Sequence, residues 1–360
     1  MVMIFGLSSA FTPLQETITT GTGASIVQGS NVRNLFINRI SILEGITGIV
    51  YNDLEIVSML GGFSMPVLMQ VLTLFLLMLC GFGSAKGKLL DDKQIAGLNT
   101  LVLSFAQPCL ILSSMQRDRS PDLIRDLMLV FVFACVIIGV SGIISHRLFR
   151  KQGTDRRAVL TNMAMVSNCG FMGYPVITAA LGEEALIYAA LYVSAFNLMS
   201  WTLCAYYYGG REAMRPSQLL KSPSLFAVVF GMVLFLTGWR LPDFINNAMS
   251  MLGDTTTPLA MFVIGTRLVS LKRDHLSDIP LLGACGLRLL VFPLVVLLLS
   301  FTPLPRMVVN SLYLCTAMPC AALTAMMAEM YDSDRSLASR GVALSTALSM
   351  LTVPLMLMLI

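Results

Sequence analysis

The chain has 360 residues, of which 56% are hydrophobic and only 12% are charged, and its mean hydropathy is +0.78. Soluble globular domains carry about 25% charged residues, so this composition excludes an ordinary soluble protein and indicates a polytopic membrane protein. The net charge of +4 is too small to suggest nucleic acid as a partner.

Residues 1–64 differ from the sequence that follows them. They contain the Thr-, Ser- and Gly-rich stretch TITTGTGASIVQGS and have no apolar run of spanning length. No Lys or Arg precedes the short apolar start MVMIFGL, so a signal peptide fits poorly. Met65 opens MPVLMQVLTLFLLMLCGF, a natural start for a membrane protein. We therefore expect residues 1–64 to be a poorly ordered extension or the product of a misassigned start codon.

The apolar runs after residue 64 predict ten membrane helices at about 20 residues per span. These ten segments fall at 66–84, 94–115, 123–148, 157–180, 184–208, 224–239, 243–270, 277–301, 306–330 and 335–360. A polar link at 209–223 separates the first five from the last five. The predicted fold is an all-α membrane protein built from two five-helix sets, 65–208 and 224–360.

The fourth segment contains the sequence MVSNCGFMGYPVI, in which Asn168 and Pro175 fall at mid-membrane depth. Proline removes a backbone donor and clashes with the preceding turn, so we expect the helix to break here. A proline kink that serves only packing is the alternative. The ninth segment carries a second proline of this kind in Met318-Pro319-Cys320, which favours a pair of broken helices, as many secondary transporters use at their substrate sites.

Prolines also indicate an internal repeat. Pro108 and Pro258, in segments 2 and 7, lie 150 residues apart, and Pro175 and Pro319, in segments 4 and 9, lie 144 apart. A near-constant offset is the signature of a duplicated unit. Because five is an odd number of spans, the second copy would enter the membrane from the opposite side, which predicts an inverted repeat.

The basic residues predict an orientation. If the first helix begins outside, sixteen Lys and Arg fall in inside loops and five in outside loops. Positive charge concentrates on the cytoplasmic side of membrane proteins. We therefore expect both ends of the ten-helix unit outside and the 209–223 link in the cytoplasm.

Motifs for catalysis or metal binding are missing from the sequence. The eight cysteines all fall in apolar segments without C-x-x-C spacing, and there are only two histidines. We therefore expect no metal, cofactor or disulfide framework. No Walker A motif is present, so direct ATP drive by this chain is not expected. An intramembrane enzyme is a weak alternative because no nucleophile, histidine and acid share membrane depth.

Three stretches resemble the auxin efflux carrier family, which includes bacterial malate- and malonate-type permeases and, more distantly, plant PIN carriers. They are QVLTLFLLMLCGF with LNTLVLSFAQPCLIL, then SNCGFMGYPVITAALGEEALIYAALYVSAFNLMSWTL, then TAMPCAALTAMMAEMYDSDRSLASRGVALSTALSMLTVPL. The resemblance covers about 65–360, with one residue inserted after Asn168 in the N-G-x-x-G-x-P pattern. It places the chain near the bile acid/sodium symporter superfamily. It implies two inverted repeats, with helices 4 and 9 crossing at their broken midpoints.

The resemblance also implies a substrate carboxylate at that crossing. By position, the binding residues would be Asn168, Cys169, Gly170, Pro175, Met318, Pro319, Cys320 and Ala321. The physical reason is that a half-helix N-terminus presents unpaired N–H groups and partial positive charge to an anion. Cys320 stands where some relatives have a polar residue, so we expect a weaker polar contact from helix 9.

Three further polar residues within apolar segments are secondary candidates: Asn197, Thr316 and Arg288. Asn197 and Thr316 could equally make interhelical hydrogen bonds. Arg288 could attract the anion, or it could anchor the structure and extend to the inner headgroups.

The predicted function is alternating-access transport of small organic anions, with carboxylates such as malate as the expected substrates and an inner membrane as the expected location. A membrane ligand sensor and a sodium-coupled organic anion symporter remain alternatives, and association of two copies as a homodimer is left open.

Overall fold

The computed structural model of the protein describes residues 65–118, 120–214, 222–270 and 278–360. The expectations for residues 1–64 lie outside these ranges. Within them, all regular secondary structure is helical, apart from one isolated β-bridge between Ser167 and Cys320. The all-α prediction is therefore confirmed for the part of the chain that the structure describes.

The described residues form thirteen helices, some with a π- or 3₁₀-helical turn included. They are α1 Met65–Lys86, α2 Asp92–Ser114, α3 Pro121–Leu148, α4 Thr154–Met165, α5 Cys169–Leu181, α6 Glu183–Ala213, α7 Pro223–Thr237, α8 Asp243–Asp254, α9 Thr256–Arg267, α10 Ile279–Phe301, α11 Arg306–Ala317, α12 Leu323–Met330 and α13 Arg335–Leu357. Five of these, α2, α3, α6, α10 and α13, are long and apolar enough to cross a membrane.

Helices lie at all ten predicted segments, but three segments are divided. Segment 4 becomes α4 and α5, segment 7 becomes α8 and α9, and segment 9 becomes α11 and α12. The divisions in segments 4 and 9 were expected from their prolines. Segment 7 divides at Thr255, shortly before Pro258. Proline is best tolerated in the first turn of a helix, where its missing N–H costs nothing.

The break in segment 4 does not lie at Pro175. The chain leaves the helix at residues 166–168, and Pro175 lies inside α5, immediately after a π-helical turn at Cys169–Gly173. Similar π turns precede Pro108 in α2 and Pro293 in α10. A widened turn relieves the clash between the proline ring and the preceding carbonyl, so these helices continue through their prolines.

Aspartate side chains cap the N-termini of α2 and α13. The Asp91 side chain accepts a hydrogen bond from the Gln94 backbone N–H (2.7 Å), and the Gln94 side chain accepts one from the Asp91 backbone N–H (2.8 Å). Asp334 caps α13 by accepting from the Leu337 backbone N–H at 2.8 Å. Each cap satisfies N–H groups that the first helical turn leaves without partners.

The helices pack in two groups, each of which includes helices from both halves of the chain. In the first packing group α1 runs along α9, and α2 packs against α7 and α8. In the second packing group α3 packs against α4 and α6, and α10 packs against α11. Glycines bring α1 and α9 close together, because a Cβ at Gly81 or Gly265 would collide with the backbone of Phe262 or Met78, respectively. Small residues at interfaces allow this close approach in membrane proteins.

Contacts at the helix ends agree with the predicted grouping of loops. Arg156 at the start of α4 forms an ion pair with Asp278 at the start of α10, with 2.5 Å between Nη2 and Oδ2. At the opposite ends of their helices, Arg240 after α7 pairs with Asp118 after α2. Each of these ion pairs therefore joins the ends of two different helices.

Candidate functional site

The two helix breaks lie directly against each other. The Asn168 N–H donates to the carbonyl of Pro319 at 2.7 Å, and the Ala321 N–H donates to the carbonyl of Val166 at 3.2 Å. The two extended segments therefore pair in an antiparallel bridge. Breaking a helix away from water frees backbone groups that need new partners. Here each break supplies partners for the other.

A third element, α13, supports the second break. The Cys320 N–H donates to Ser345 Oγ at 3.2 Å. Ser345 is fully buried, and Cys320 has no exposed surface. The backbone at Pro319–Ala321 is thus fixed from two directions, by α13 and by the first break.

Arg288 on α10 binds the carbonyl ends of both interrupted helices. Its Nη1 donates to the carbonyls of Ala164 (3.1 Å) and Met165 (2.9 Å) at the end of α4, and its Nη2 donates to the carbonyl of Thr316 near the end of α11. The side chain is 1% exposed. Among the described residues it has no acidic partner. The partial negative charge of two helix C-termini therefore balances a buried cation.

These contacts show where the Arg288 guanidinium lies. Extension to the inner headgroups is wrong, because the guanidinium is buried between α4 and α11. Thr316 lies in the same cluster, where its hydroxyl is 3.2 Å from that of Tyr192 on α6. An interhelical hydrogen bond is thus the role that the structure shows for Thr316.

The N-termini of α5 and α12, the helices that follow the two breaks, face a cavity of about 790 Å³. Residues of α2, α5, α6, α12 and α13 contribute to its wall, together with both breaks and the helix ends around α7 and α9. α5 and α12 both begin at this cavity. Within the described ranges no backbone carbonyl accepts from the N–H groups of Phe171, Ala322 or Leu323, all of which line the cavity. Two helix N-termini with their partial positive charge therefore face one space.

Four of the eleven predicted site residues line this cavity: Asn168, Gly170, Ala321 and Asn197. The Asn168 side chain makes no hydrogen bond to any residue that the structure describes, so its amide is available to a ligand. Both a donor and an acceptor are present on this amide.

The other predicted residues lie behind the cavity wall. Cys169, Met318 and Cys320 are completely buried, and Pro175 and Pro319 are buried as well. The Cys320 thiol is 3.3 Å from the Thr324 hydroxyl and forms part of the packing beneath the break. Thr316 and Arg288 are also absent from the wall. These seven residues shape the site without contacting the cavity in this conformation.

Several lining residues had no prediction, most notably Gln107 on α2 and Ser167 in the first break. Both are at least nine-tenths buried, and Gln107 Oε1 and Ser167 Oγ have no hydrogen-bond partner among the residues that the structure describes. A signal existed for Gln107, because an amide inside the apolar run SFAQPCLIL is unusual. The sequence prediction used the neighbouring Pro108 instead and left Gln107 without a role.

The far end of the cavity is charged. Arg267, Glu329 and Arg335 line it, together with Ser222 at the N-cap of α7. Arg335 also forms an ion pair with Asp332, with 2.7 Å between Nη2 and Oδ1. These residues are exposed or partly exposed and belong to loops that the charge count places on the inside. The cavity therefore extends from the paired breaks to one end of the helix assembly.

The fold and this site define a multi-pass membrane protein with broken helices around a central cavity, and comparison with known proteins identifies its family. The model of the membrane transport protein family matches residues 66–215 and 211–357. The chain belongs to this family of auxin efflux carrier-type permeases.

Related proteins carry transporter names. An uncharacterized transporter of Methanothermobacter thermautotrophicus is 32% identical over 294 residues, which cover 79% of this chain and 95% of the relative. An uncharacterized transporter of Methanocaldococcus jannaschii is 25% identical over 297 residues, or 79% and 96% of the two chains. The transporter YfdV of Escherichia coli is 23% identical over 245 residues, or 64% and 77%. The chain is therefore a membrane transporter by family.

Proposed function

We propose that this protein is a secondary transporter of small organic anions, with carboxylates such as malate as its substrates, and that it works by alternating access around the paired breaks. The observation that carries the proposal is the pair of helix N-termini, α5 and α12, that face one cavity with unpaired N–H groups. Such N-termini bind anions without placing a full opposite charge in the membrane.

The polar side chains of the cavity suit the same ligand. Asn168 and Asn197 add amide donors close to the helix N-termini. At the far end, Arg267 and Arg335 lie with Glu329 and with Asp332, the ion-pair partner of Arg335, so this end carries charges of both signs. The 790 Å³ volume is within the range of small-molecule sites and leaves room for a small dicarboxylate with water.

The proposal includes an arrangement in the membrane. The two five-helix sets, 65–208 and 224–360, would be inverted repeats in a bacterial-type inner membrane, with the 209–223 link in the cytoplasm and both ends of the helical unit outside. The cavity would then open to the cytoplasm, because Arg267 and Arg335 belong to the inside loops. This conformation would be the inward-facing state.

The first test is uptake of labelled malate into proteoliposomes that contain the wild-type protein, Asn168→Ala or Asn247→Ala. Asn247 is an exposed asparagine of α8 outside the cavity and is the matched control. We expect wild type and Asn247→Ala to transport malate. Asn168→Ala should lose at least about tenfold in transport rate, since it removes a hydrogen bond to a charged ligand.

Other outcomes would change the conclusion. Binding of carboxylates without any flux, under either a pH or a sodium gradient, would replace transport with ligand sensing. Uptake that requires sodium would identify a sodium-coupled symporter. Equal transport by Asn168→Ala and wild type would leave the function intact and remove Asn168 from the site.

A further inference from the structure

Gln107 occupies the cavity wall that faces the first break. It lies on α2, directly after the π turn Val102–Ala106, and its side chain is 3% exposed. It lines the cavity together with Asn168 and Gly170. An amide buried at this depth in an apolar helix is costly unless its polar atoms find partners.

The surroundings of Gln107 orient its amide. Its Nε2 lies 2.8 Å from the position that a Cβ would occupy at Gly170, so glycine at 170 leaves room for this group. The Oε1 atom is buried and accepts no hydrogen bond from any residue within the described ranges. The buried Tyr174 hydroxyl is a polar neighbour of the Gln107 amide. The carbonyl of the amide therefore points into protein, and its NH₂ group adjoins the start of α5.

We infer that the Gln107 amide donates a hydrogen bond to the substrate carboxylate from the α2 wall beside the first break. This inference rests on the proposed transport function and adds a binding residue to the same site. The carboxylate would be held by the N-terminus of α5, by Asn168 and by Gln107, which adjoin one another on the cavity wall. An NH₂ group carries two N–H donors, so Nε2 can donate to the ligand while it also adjoins the Tyr174 hydroxyl.

This placement gives Gln107 a distinct role. α2 packs against α7 and α8, whereas the breaks belong to the helices that pack with α3 and α10. An anion bound to Gln107 and α5 would therefore connect the packing group of α1, α2, α7, α8 and α9 with the packing group of α3, α4, α6, α10 and α11. The ligand class is a small planar carboxylate that fits the cavity beside Gln107 and Gly170.

The experiment measures the dissociation constant for L-malate, and its transport, with purified full-length protein. Three variants differ in what they offer at Nε2: Gln107→Leu removes the donor, Gln107→His keeps an N–H at similar reach, and Gln107→Glu replaces the amide with an anion of the same shape. The control is Thr100→Val on the same helix, because Thr100 is exposed, lies outside the cavity and bonds only to the Ala96 carbonyl of its own helix.

We expect Gln107→Leu to weaken malate binding about 10- to 100-fold, the loss typical of a hydrogen bond to a charged group. Gln107→Glu should weaken it further by repulsion, Gln107→His should recover part of the affinity, and Thr100→Val should bind as wild type does. Thermal unfolding midpoints of the variants distinguish a binding role of Gln107 from a structural one. In a structural role, the affinity for malate would change with the stability of each variant and not with its capacity to donate a hydrogen bond.

The inference fails if wild type binds and transports malate while Gln107→Leu and Gln107→Glu, both folded, bind it equally well. The proposed function fails separately if wild type neither binds nor transports any carboxylate of a panel of acetate, malonate and malate. If Gln107→Leu is unfolded, Gln107→Met, which keeps the side-chain length and removes the donor without adding a charge, decides the outcome.

Discussion

At the scale of single residues, Arg288 shows how the protein keeps a charge inside the helix assembly. A buried cation normally needs an acidic partner. Arg288 instead donates to carbonyls of both α4 and α11, so the ends of two interrupted helices take that place. The flat guanidinium presents several N–H donors in one fork, which lets one residue connect two helices.

Removing this fork should destabilise the protein. We expect Arg288→Met to lower the unfolding free energy by about 2–4 kcal/mol, because the carbonyls of Ala164, Met165 and Thr316 lose their donor. Arg288→Lys should fall in between, since one ammonium cannot reach both helices as the fork does. The measurement is denaturant titration in detergent micelles.

Arg306→Met is the control for this prediction, because Arg306 is an exposed arginine at the start of α11. It should change the unfolding free energy by less than about 0.5 kcal/mol. An Arg288→Met protein as stable as wild type would show that the three carbonyls do not depend on the guanidinium.

At the scale of elements, the close contact between α1 and α9 depends on two glycines. A Cβ at Gly81 would collide with the backbone of Phe262, and one at Gly265 with the backbone of Met78. Backbone atoms of a packed helix cannot move aside as a flexible side chain can. The whole contact would therefore have to separate to admit a methyl group.

Gly81→Ala should consequently lower the unfolding free energy by about 1–3 kcal/mol, as overpacking commonly does. Gly83→Ala, two residues later in the same helix, is the matched control, since a Cβ at Gly83 meets no atom within 4 Å. Because alanine favours the helix over glycine, Gly83→Ala should be neutral or slightly stabilising. Equal effects of the two substitutions in micelle unfolding would contradict the packing model.

At the scale of the whole molecule, the cavity connects the paired breaks with one end of the helix assembly. Its wall runs from the paired breaks to Arg267 and Arg335. The proposed alternating access requires a second conformation in which this end closes and the other opens. Occupation of the cavity by substrate and accessibility from the proposed cytoplasmic side should therefore be linked.

A cysteine at the cavity wall should report this state. Ser339 is exposed and lines the cavity, whereas Ser336, on the same helix, is exposed outside it. In inverted membrane vesicles we expect Ser339→Cys to react with an impermeant maleimide, and malate at ten times its dissociation constant to slow that reaction about tenfold.

Ser336→Cys should react as well, but malate should not protect it. Wild-type protein, with its eight native cysteines, gives the background. Reaction of Ser339→Cys only in right-side-out vesicles would place the open end of the cavity outside and reverse the proposed orientation.

The sequence by itself determined the helical membrane fold, the positions of all ten apolar segments and the existence of two interruptions. These features depend on local properties: apolar length, the missing N–H of proline and the capping chemistry of Asp91 and Asp334. The transporter family was likewise recognisable from local stretches of residues.

Only the tertiary structure decided which residues of those interruptions face the cavity. Asn168 and Gly170 line it, while Cys169 and Cys320 are turned into the packing. The exact position of the first break was also hidden, because a π turn absorbs Pro175 and the pairing with Pro319 fixes the chain at residues 166–168. Gln107 and the carbonyl partners of Arg288 join residues more than 25 positions apart. Local sequence does not encode such contacts, since the packing of distant helices creates them.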